Sequence, residues 1–135
     1  MASEPKTKPT DVPVEDFIAT VDHAKRRADA MVIHKLLTQV SGEKGVMWGP
    51  SIIGYGRYKG PTGEWPLHGF SPRKTNLVLY FAPEFPEREV LLARLGPHKS
   101  SLSCVYVTDL NKIDLDVVRA LAVASAASTR ARHPD

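Results

Sequence analysis

The chain has 135 residues, of which 42% are hydrophobic and 24% charged, and it contains a single cysteine. This length and apolar content are typical of one folded domain with its own core, which excludes a wholly disordered protein. One cysteine cannot form an intramolecular disulfide, so a disulfide-stapled secreted scaffold is excluded and a reducing compartment is expected. The net charge of +3 permits an anionic partner without requiring one.

The N-terminal end differs from the rest of the chain. Residues 1–10 hold two prolines and several charges but no apolar run, which predicts a disordered leader and not a signal peptide. The longest uncharged apolar stretch, Ala120–Ala127, is far shorter than the roughly 18 residues that a membrane span needs. We therefore expect a cytoplasmic domain over residues 11–132, with no membrane partner.

The first elements predicted along the chain are two helices, Val14–Val21 and His23–Val40. Apolar residues recur in them at spacings of three and four, which gives each helix one buried face. Ser41 and Gly42 end the second helix, because glycine readily adopts the left-handed conformation found at helix C-termini.

Short β-type runs follow, separated by glycines and prolines, and they predict strands at Ile52–Tyr58, Glu64–Phe70 and Asn76–Phe81. The link over residues 59–63 has the composition of a hairpin loop, so the first two strands should be antiparallel neighbours.

A third helix is predicted at Pro86–Leu95, a fourth strand at Ser103–Thr108 and a last helix at Leu115–Ala131, with Asp114 as its cap. The element order ααβββαβα favours an α+β fold, a single compact domain with a mainly antiparallel sheet of about four strands packed with helices. A parallel pair involving the last strand stays open, since the third helix could serve as a crossover.

Several catalytic and cofactor motifs are absent or incomplete. Gly54, Gly56 and Gly60 are spaced one residue too long for a dinucleotide fingerprint and lead into a hairpin, which favours close backbone approach instead. Cys104 could act as a nucleophile if a neighbouring cation lowered its pKa, although a cysteine in an apolar strand is more often an inert core residue. We therefore expect a binding domain in preference to an enzyme.

The strongest candidate site combines cationic and hydroxyl groups near strand ends. The segment between Lys44 and Cys104 has a charge of +4. Arginine and lysine in loops suit a carboxylate or phosphate, with a tryptophan as an apolar wall. The alternative is that these groups pair with glutamates of the third helix or face solvent. The segment has no run of four basic residues, so nucleic acid is not a predicted partner. The predicted anion pocket comprises Trp48, Ser71, Arg73, Lys74, His98 and Lys99.

A second candidate site is an acidic edge on the first two predicted helices. Its carboxylates could hold a hard or weakly bound cation, or they could simply cap helices and face water. The residues of this edge are Glu15, Asp16, Asp22 and Asp29.

Five segments together resemble the YdhG-like family of bacterial domains of unknown function: Met47–Gly56, Gly69–Lys74, Leu95–Lys99, Ser103–Val107 and Asp109–Val117. The resemblance extends over residues 8–130 and implies a compact α+β fold. Some YdhG-like proteins are described as frataxin-like iron chaperones, so the resemblance implies iron as an alternative ligand of the acidic edge. Frataxin-like iron binding uses a dense acidic ridge, whereas this chain offers four carboxylates and a net positive charge. A small anionic ligand or a partner protein is therefore the leading prediction, and iron is the second.

Overall fold

The computed structural model describes residues 9–49, 51–60, 63–83 and 85–133. These residues form α-helices, a six-stranded sheet and a separate two-stranded hairpin. In chain order the elements are α1 (Val14–Ala19), α2 (Ala24–Ser41), β1 (Gly45–Trp48), β2 (Ile52–Tyr55), β3 (Tyr58–Gly60), β4 (Gly63–Trp65), β5 (His68–Pro72), β6 (Leu77–Tyr80), α3 (Arg88–Leu95), β7 (Lys99–Ser100), β8 (Cys104–Val107), a 3₁₀ turn (Leu110–Lys112) and α4 (Leu115–Arg132).

The large sheet has the strand order β1-β2-β5-β6-β8-β7, and every neighbouring pair in it is antiparallel. The predicted α+β class is therefore confirmed, whereas the parallel pair left open for the last strand is wrong, because β8 runs antiparallel to β6. The estimate of about four strands was too low. Both edge strands, β1 and β7, went unpredicted, and two predicted strands are each divided in two.

The division occurs where the backbone must turn. Gly56 has a φ of 70°, a left-handed conformation that glycine adopts without steric cost, and it separates β2 from β3. The hairpin β3–β4 forms through the predicted loop, and β2 and β5 then pair with each other as antiparallel neighbours. The hairpin thus forms a two-stranded sheet of its own between β2 and β5 in the chain.

The two faces of the sheet have different surroundings. Residues paired directly across antiparallel strands share a face, so Met47, Ile53, Phe70, Leu79 and Val105 form one row. This row lies in the main core together with apolar residues of the helices. The opposite face carries Gly54 and Gly69 side by side, which leaves the middle of the sheet without side chains there.

Local chemistry explains where the long helices begin. Asp114 accepts a hydrogen bond from the backbone N–H of Asp116 at 2.9 Å, so the predicted cap of α4 is confirmed. α2 begins one residue later than predicted, because the ring of His23 accepts from the N–H of Arg26 at 3.3 Å.

Among the described residues, no helix is both long enough and apolar enough to span a membrane.

The predicted leader lies mostly outside the described residues, which begin at Pro9. Pro9 forms a β-bridge with Trp48, and the N–H of Thr10 donates to the carbonyl of Met47 at 2.8 Å. These two residues therefore lie along the outer edge of β1. The predicted domain limits stay a prediction.

Ser125 ties α4 to the end of the sheet, and replacing it should be costly. Its fully buried hydroxyl accepts a hydrogen bond from the N–H of Ala82 at 2.7 Å. We expect Ser125→Ala to lower the free energy of unfolding by about 2 kcal/mol, because the buried N–H loses its partner. Urea denaturation checks this, with the exposed Ser101→Ala as a control that should change stability by less than about 0.5 kcal/mol. Equal effects of the two substitutions would contradict the assignment.

Candidate ligand-binding cleft

A cleft of ≈ 430 Å³ lies at the end of the sheet where β5 begins and β6 ends. Its walls come from the hairpin β3–β4, from the segments beside Gly69 and Tyr80, and from the C-terminal turn of α4. It thus lies where several separate parts of the chain meet. This size is within the range of roughly 300 to 1,000 Å³ that is typical of small-molecule sites.

Aromatic side chains form much of the lining. Trp48 of β1, Tyr58 and Trp65 of the hairpin, and Tyr80 of β6 all contribute. Trp48 is 1% exposed, and the guanidinium of Arg57 lies 5.6 Å from its ring centroid. The half-buried rings of Tyr58, Trp65 and Tyr80 offer flat apolar surfaces on which a planar ligand can stack.

The rings can approach the sheet closely because of the glycines. A Cβ at Gly54 would lie 2.6 Å from Pro66 Cβ and 2.6 Å from Trp48 Cδ1, so no other residue fits there without displacing these walls. Gly69, opposite it on β5, lines the cleft itself. Close packing over glycine agrees with the close backbone approach expected at Gly54.

His68 is the unusual polar residue of the lining. It is 2% exposed, and among the described residues neither of its ring nitrogens has a hydrogen-bond partner. Burial lowers the pKa of His68 from 6.5 to about 4, and the positive charge of Arg130 acts in the same direction. The folded protein therefore holds a neutral imidazole beside the cleft, with its donor and its acceptor both unused.

Tyr55, the neighbour of His68 on β2, is already engaged elsewhere. Its hydroxyl lies 2.6 Å from Nδ1 of His34, and Nε2 of His34 lies 3.4 Å from a carboxylate oxygen of Glu15. The tautomer with a proton on Nε2 satisfies both contacts, with Tyr55 donating to Nδ1. Burial raises the pKa of Tyr55, so its hydroxyl stays protonated. The chain of contacts holds the tyrosine ring in place, 6.0 Å from the ring of His68.

Basic residues lie at the mouth of the cleft. Arg132 and His133 lie at the end of α4, and the ring of His133 is 5.0 Å from that of Tyr58. The guanidinium of Arg132 donates to the hydroxyl of Ser128 at 3.1 Å. The described lining contains no aspartate or glutamate.

Comparison with models of known families, with curated proteins and with solved structures gave no match. The resemblance to YdhG-like domains therefore stays a prediction.

The residues of the predicted anion pocket do not converge. Trp48 lies on β1 and Lys99 on β7, the two opposite edges of the sheet, roughly 24 Å apart at the usual strand spacing. His98 is beside Lys99, and its Nδ1 lies 2.7 Å from the carbonyl oxygen of Gly96. Of the predicted set, only Trp48 lines the cleft.

Part of the predicted set does form a smaller cluster. The hydroxyl of Ser71 donates to the carbonyl of Ser51 at 2.7 Å, and the guanidinium of Arg73 donates to that hydroxyl at 3.4 Å and to the hydroxyl of Tyr80 at 2.9 Å. Lys74 is exposed at the following turn. Arg73 thus pairs with hydroxyl groups, and no glutamate of α3 is among its described partners.

The predicted acidic edge is also dispersed. Glu15 contacts His34, and Asp29 is buried against the ammonium group of Lys25 at 2.9 Å. Asp16 and Asp22 are exposed. In the part of the chain that the structure describes, no three histidine, cysteine or carboxylate side chains are grouped to hold a metal ion. Iron binding stays a prediction.

Sequence reasoning missed His68 and the end of α4. One signal was available for His68: it shares the inward face of its strand with Phe70, two residues on, so alternation placed a titratable group in the core. No local sequence pattern predicts that Arg132 and His133 lie near the hairpin, because their position depends on how the whole of α4 packs.

Proposed function

We propose that this protein is a binding domain whose cleft takes a small, planar organic ligand with negative charge. The observation that supports it most is His68, a buried imidazole in the cleft with both nitrogens unpartnered among the described residues. A buried polar group without a partner costs free energy. A ligand that satisfies it recovers that free energy on binding.

The shape and charge of the lining select among ligands. The aromatic rings of the lining favour a flat, largely apolar body, and the polar groups favour a hydrogen-bonding substituent on it. With Arg132 and His133 at the mouth and no carboxylate in the described lining, the electrostatic preference is for an anion. This proposal keeps the predicted small anionic ligand and moves its site from the loops to the cleft.

Binding in preference to catalysis agrees with the chemistry of the cleft. Among its described lining residues, no hydroxyl or thiol is hydrogen-bonded to a base, the pairing that activates a nucleophile. Cys104 is partly buried opposite Tyr80 on β8 and is not among the lining residues. Kinship with the YdhG-like family is part of the same proposal, supported by the α+β fold.

The cleft contains a convenient reporter, because both tryptophans of the chain line it. A panel of benzoate, 2-naphthoate and indole-3-carboxylate, each with its neutral amide, should shift the two indole N–H signals in nuclear magnetic resonance spectra. His68→Phe, which keeps a ring and removes the polar atoms, should weaken binding by about tenfold or more. The matched control is His98→Phe at the far edge of the sheet, which should bind as the wild type does. Saturable shifts that avoid the cleft, or none at all, would refute the proposed function.

A further inference from the structure

Among the described residues, no side chain is hydrogen-bonded to the ring of His68. From β2 it meets Tyr55, beyond which lies His34 of α2. From α4 it is near Arg130 and, across the cleft, Arg132 and His133, while β3 and β6 contribute tyrosines to the same cleft. The carboxylate of Glu15 lies beyond His34 and not against His68, and no described aspartate or glutamate lines the cleft. The imidazolium of His68 therefore lacks a counter-charge among the described residues.

A bound carboxylate would supply that missing counter-charge. We propose, as an extension that rests on the proposed function, that the cleft selects aromatic monocarboxylates. We further propose that His68 takes up one proton when such a ligand binds. The product is an imidazolium–carboxylate pair in which the ring N–H donates to the carboxylate. The proton comes from solvent, no bond of the ligand breaks, and one proton is absorbed for each ligand bound.

The geometry favours a carboxylate over a phosphate. His68 is the only described titratable residue of the lining that is almost fully buried and unpartnered, and it can supply one positive charge. A single negative charge is neutralised by that one proton, whereas a phosphate dianion would keep a second buried charge without a partner.

Proton uptake makes affinity depend on pH in a defined direction. In the free protein the low pKa of His68 keeps it neutral at pH values above about 5. In the complex the adjacent carboxylate raises that pKa, so acidification favours the complex. The Kd for a carboxylate should therefore fall by close to tenfold when the pH is lowered from about 6.5 to about 5.5.

The test compares 2-naphthoate with 2-naphthamide, two ligands of the same shape that differ in charge. Titration calorimetry of the full chain in two buffers of different ionisation enthalpy measures proton uptake directly. For the wild type we expect about one proton absorbed per naphthoate at about pH 6, and none for the naphthamide. His68→Gln keeps hydrogen-bonding capacity without a titrating group and should abolish both the uptake and the pH dependence. His98→Gln, the matched control, should retain them.

The possible failures are distinguishable. If naphthoate binds in the cleft without proton uptake, or if His68→Gln keeps the same pH dependence, the proton-linked inference is overturned while the proposed function stands. If 2-naphthyl phosphate binds more tightly than naphthoate, the choice of a carboxylate is wrong. If neither naphthoate nor naphthamide perturbs the tryptophan signals, both the inference and the proposed function are refuted.

Discussion

Lowering the pH from about 6.5 to about 4 should reduce the free energy of unfolding by about 3 kcal/mol through His68 alone. Burial lowers the pKa of this residue from 6.5 to about 4 in the folded protein. Between these two values the unfolded chain binds a proton that the folded protein does not. The stability is therefore fully present above pH 6.5 and is lost progressively as the pH falls towards 4.

Other acid-sensitive groups act in a different pH range. A backbone hydrogen bond and the contact with His34 lower the pKa of Glu15 below its ordinary 4.5, and hydrogen bonds with Asn111 and Lys25 lower that of Asp109 below 3.8. Both stabilise the fold above those ordinary values, and their contributions are lost only as the pH falls below them. The interval from about pH 6.5 to about 5 therefore separates His68 from these carboxylates.

Urea denaturation at a series of pH values measures the effect. His68→Gln should flatten the profile in that interval whatever its stability at neutral pH, and His98→Gln should leave the slope unchanged. Should the glutamine variant prove too unstable to analyse, His68→Phe removes the same titration. A slope in either His68 variant as steep as that of the wild type would contradict the assignment.

The sequence was informative about the interior strands and much less so about the edges. Leu77–Tyr80 was predictable within a residue at each end, because a run of apolar residues with high β propensity is typical of a strand buried on both faces. Lys99–Ser100 is only two residues long, and its pairing with β8 leaves no periodic pattern in the sequence. Whether an edge segment pairs depends on the neighbouring strand, so the local sequence pattern gives little indication of it.

The predicted site was dispersed for a similar reason. The predicted anion pocket combines residues near strand ends by their chemical type. Which of these residues actually meet is decided by the strand order, which the local sequence does not show. Because β7 follows β8 at the far edge, His98 and Lys99 are separated from Trp48 by the full width of the sheet. The contact between the hairpin and the end of α4 likewise depends on tertiary packing, so His133 could not be linked to Tyr58 beforehand. Of the predicted residues, only Trp48 lines the cleft proposed here as the site.

Gly69→Ala should be the most destabilising of the glycine replacements in the sheet, lowering the free energy of unfolding by about 3 kcal/mol. A Cβ at this position would overlap the carbonyl oxygen of Ile53 on the neighbouring strand. A backbone oxygen held in a ladder cannot rotate away, so β2 and β5 would have to separate. The loss would fall on the β2–β5 pair, beneath the cleft.

Gly54→Ala differs because its obstacles are side chains. The new methyl group would meet Trp48 and Pro66, which can shift outward, so we expect a smaller loss of about 1 to 2 kcal/mol. Both displaced side chains line the cleft, and their movement should weaken naphthoate binding by about tenfold even where the fold is retained. Gly69→Ala should therefore act mainly on the stability of the fold, whereas Gly54→Ala should act mainly on ligand binding.

Gly60→Ala in the hairpin is the matched control, since its nearest obstacle is a ring carbon of Tyr58 at 3.2 Å, and it should cost less than about 1 kcal/mol. Denaturant unfolding of the three variants, with the tryptophan indole signals as a second readout, ranks them. If Gly69→Ala were no more destabilising than Gly60→Ala, the close contact between β2 and β5 would be wrong. If Gly54→Ala bound naphthoate as tightly as the wild type, Trp48 and Pro66 would not be walls of the site. The flat surface that the two glycines create is what allows Trp48 and Pro66 to pack directly on the sheet.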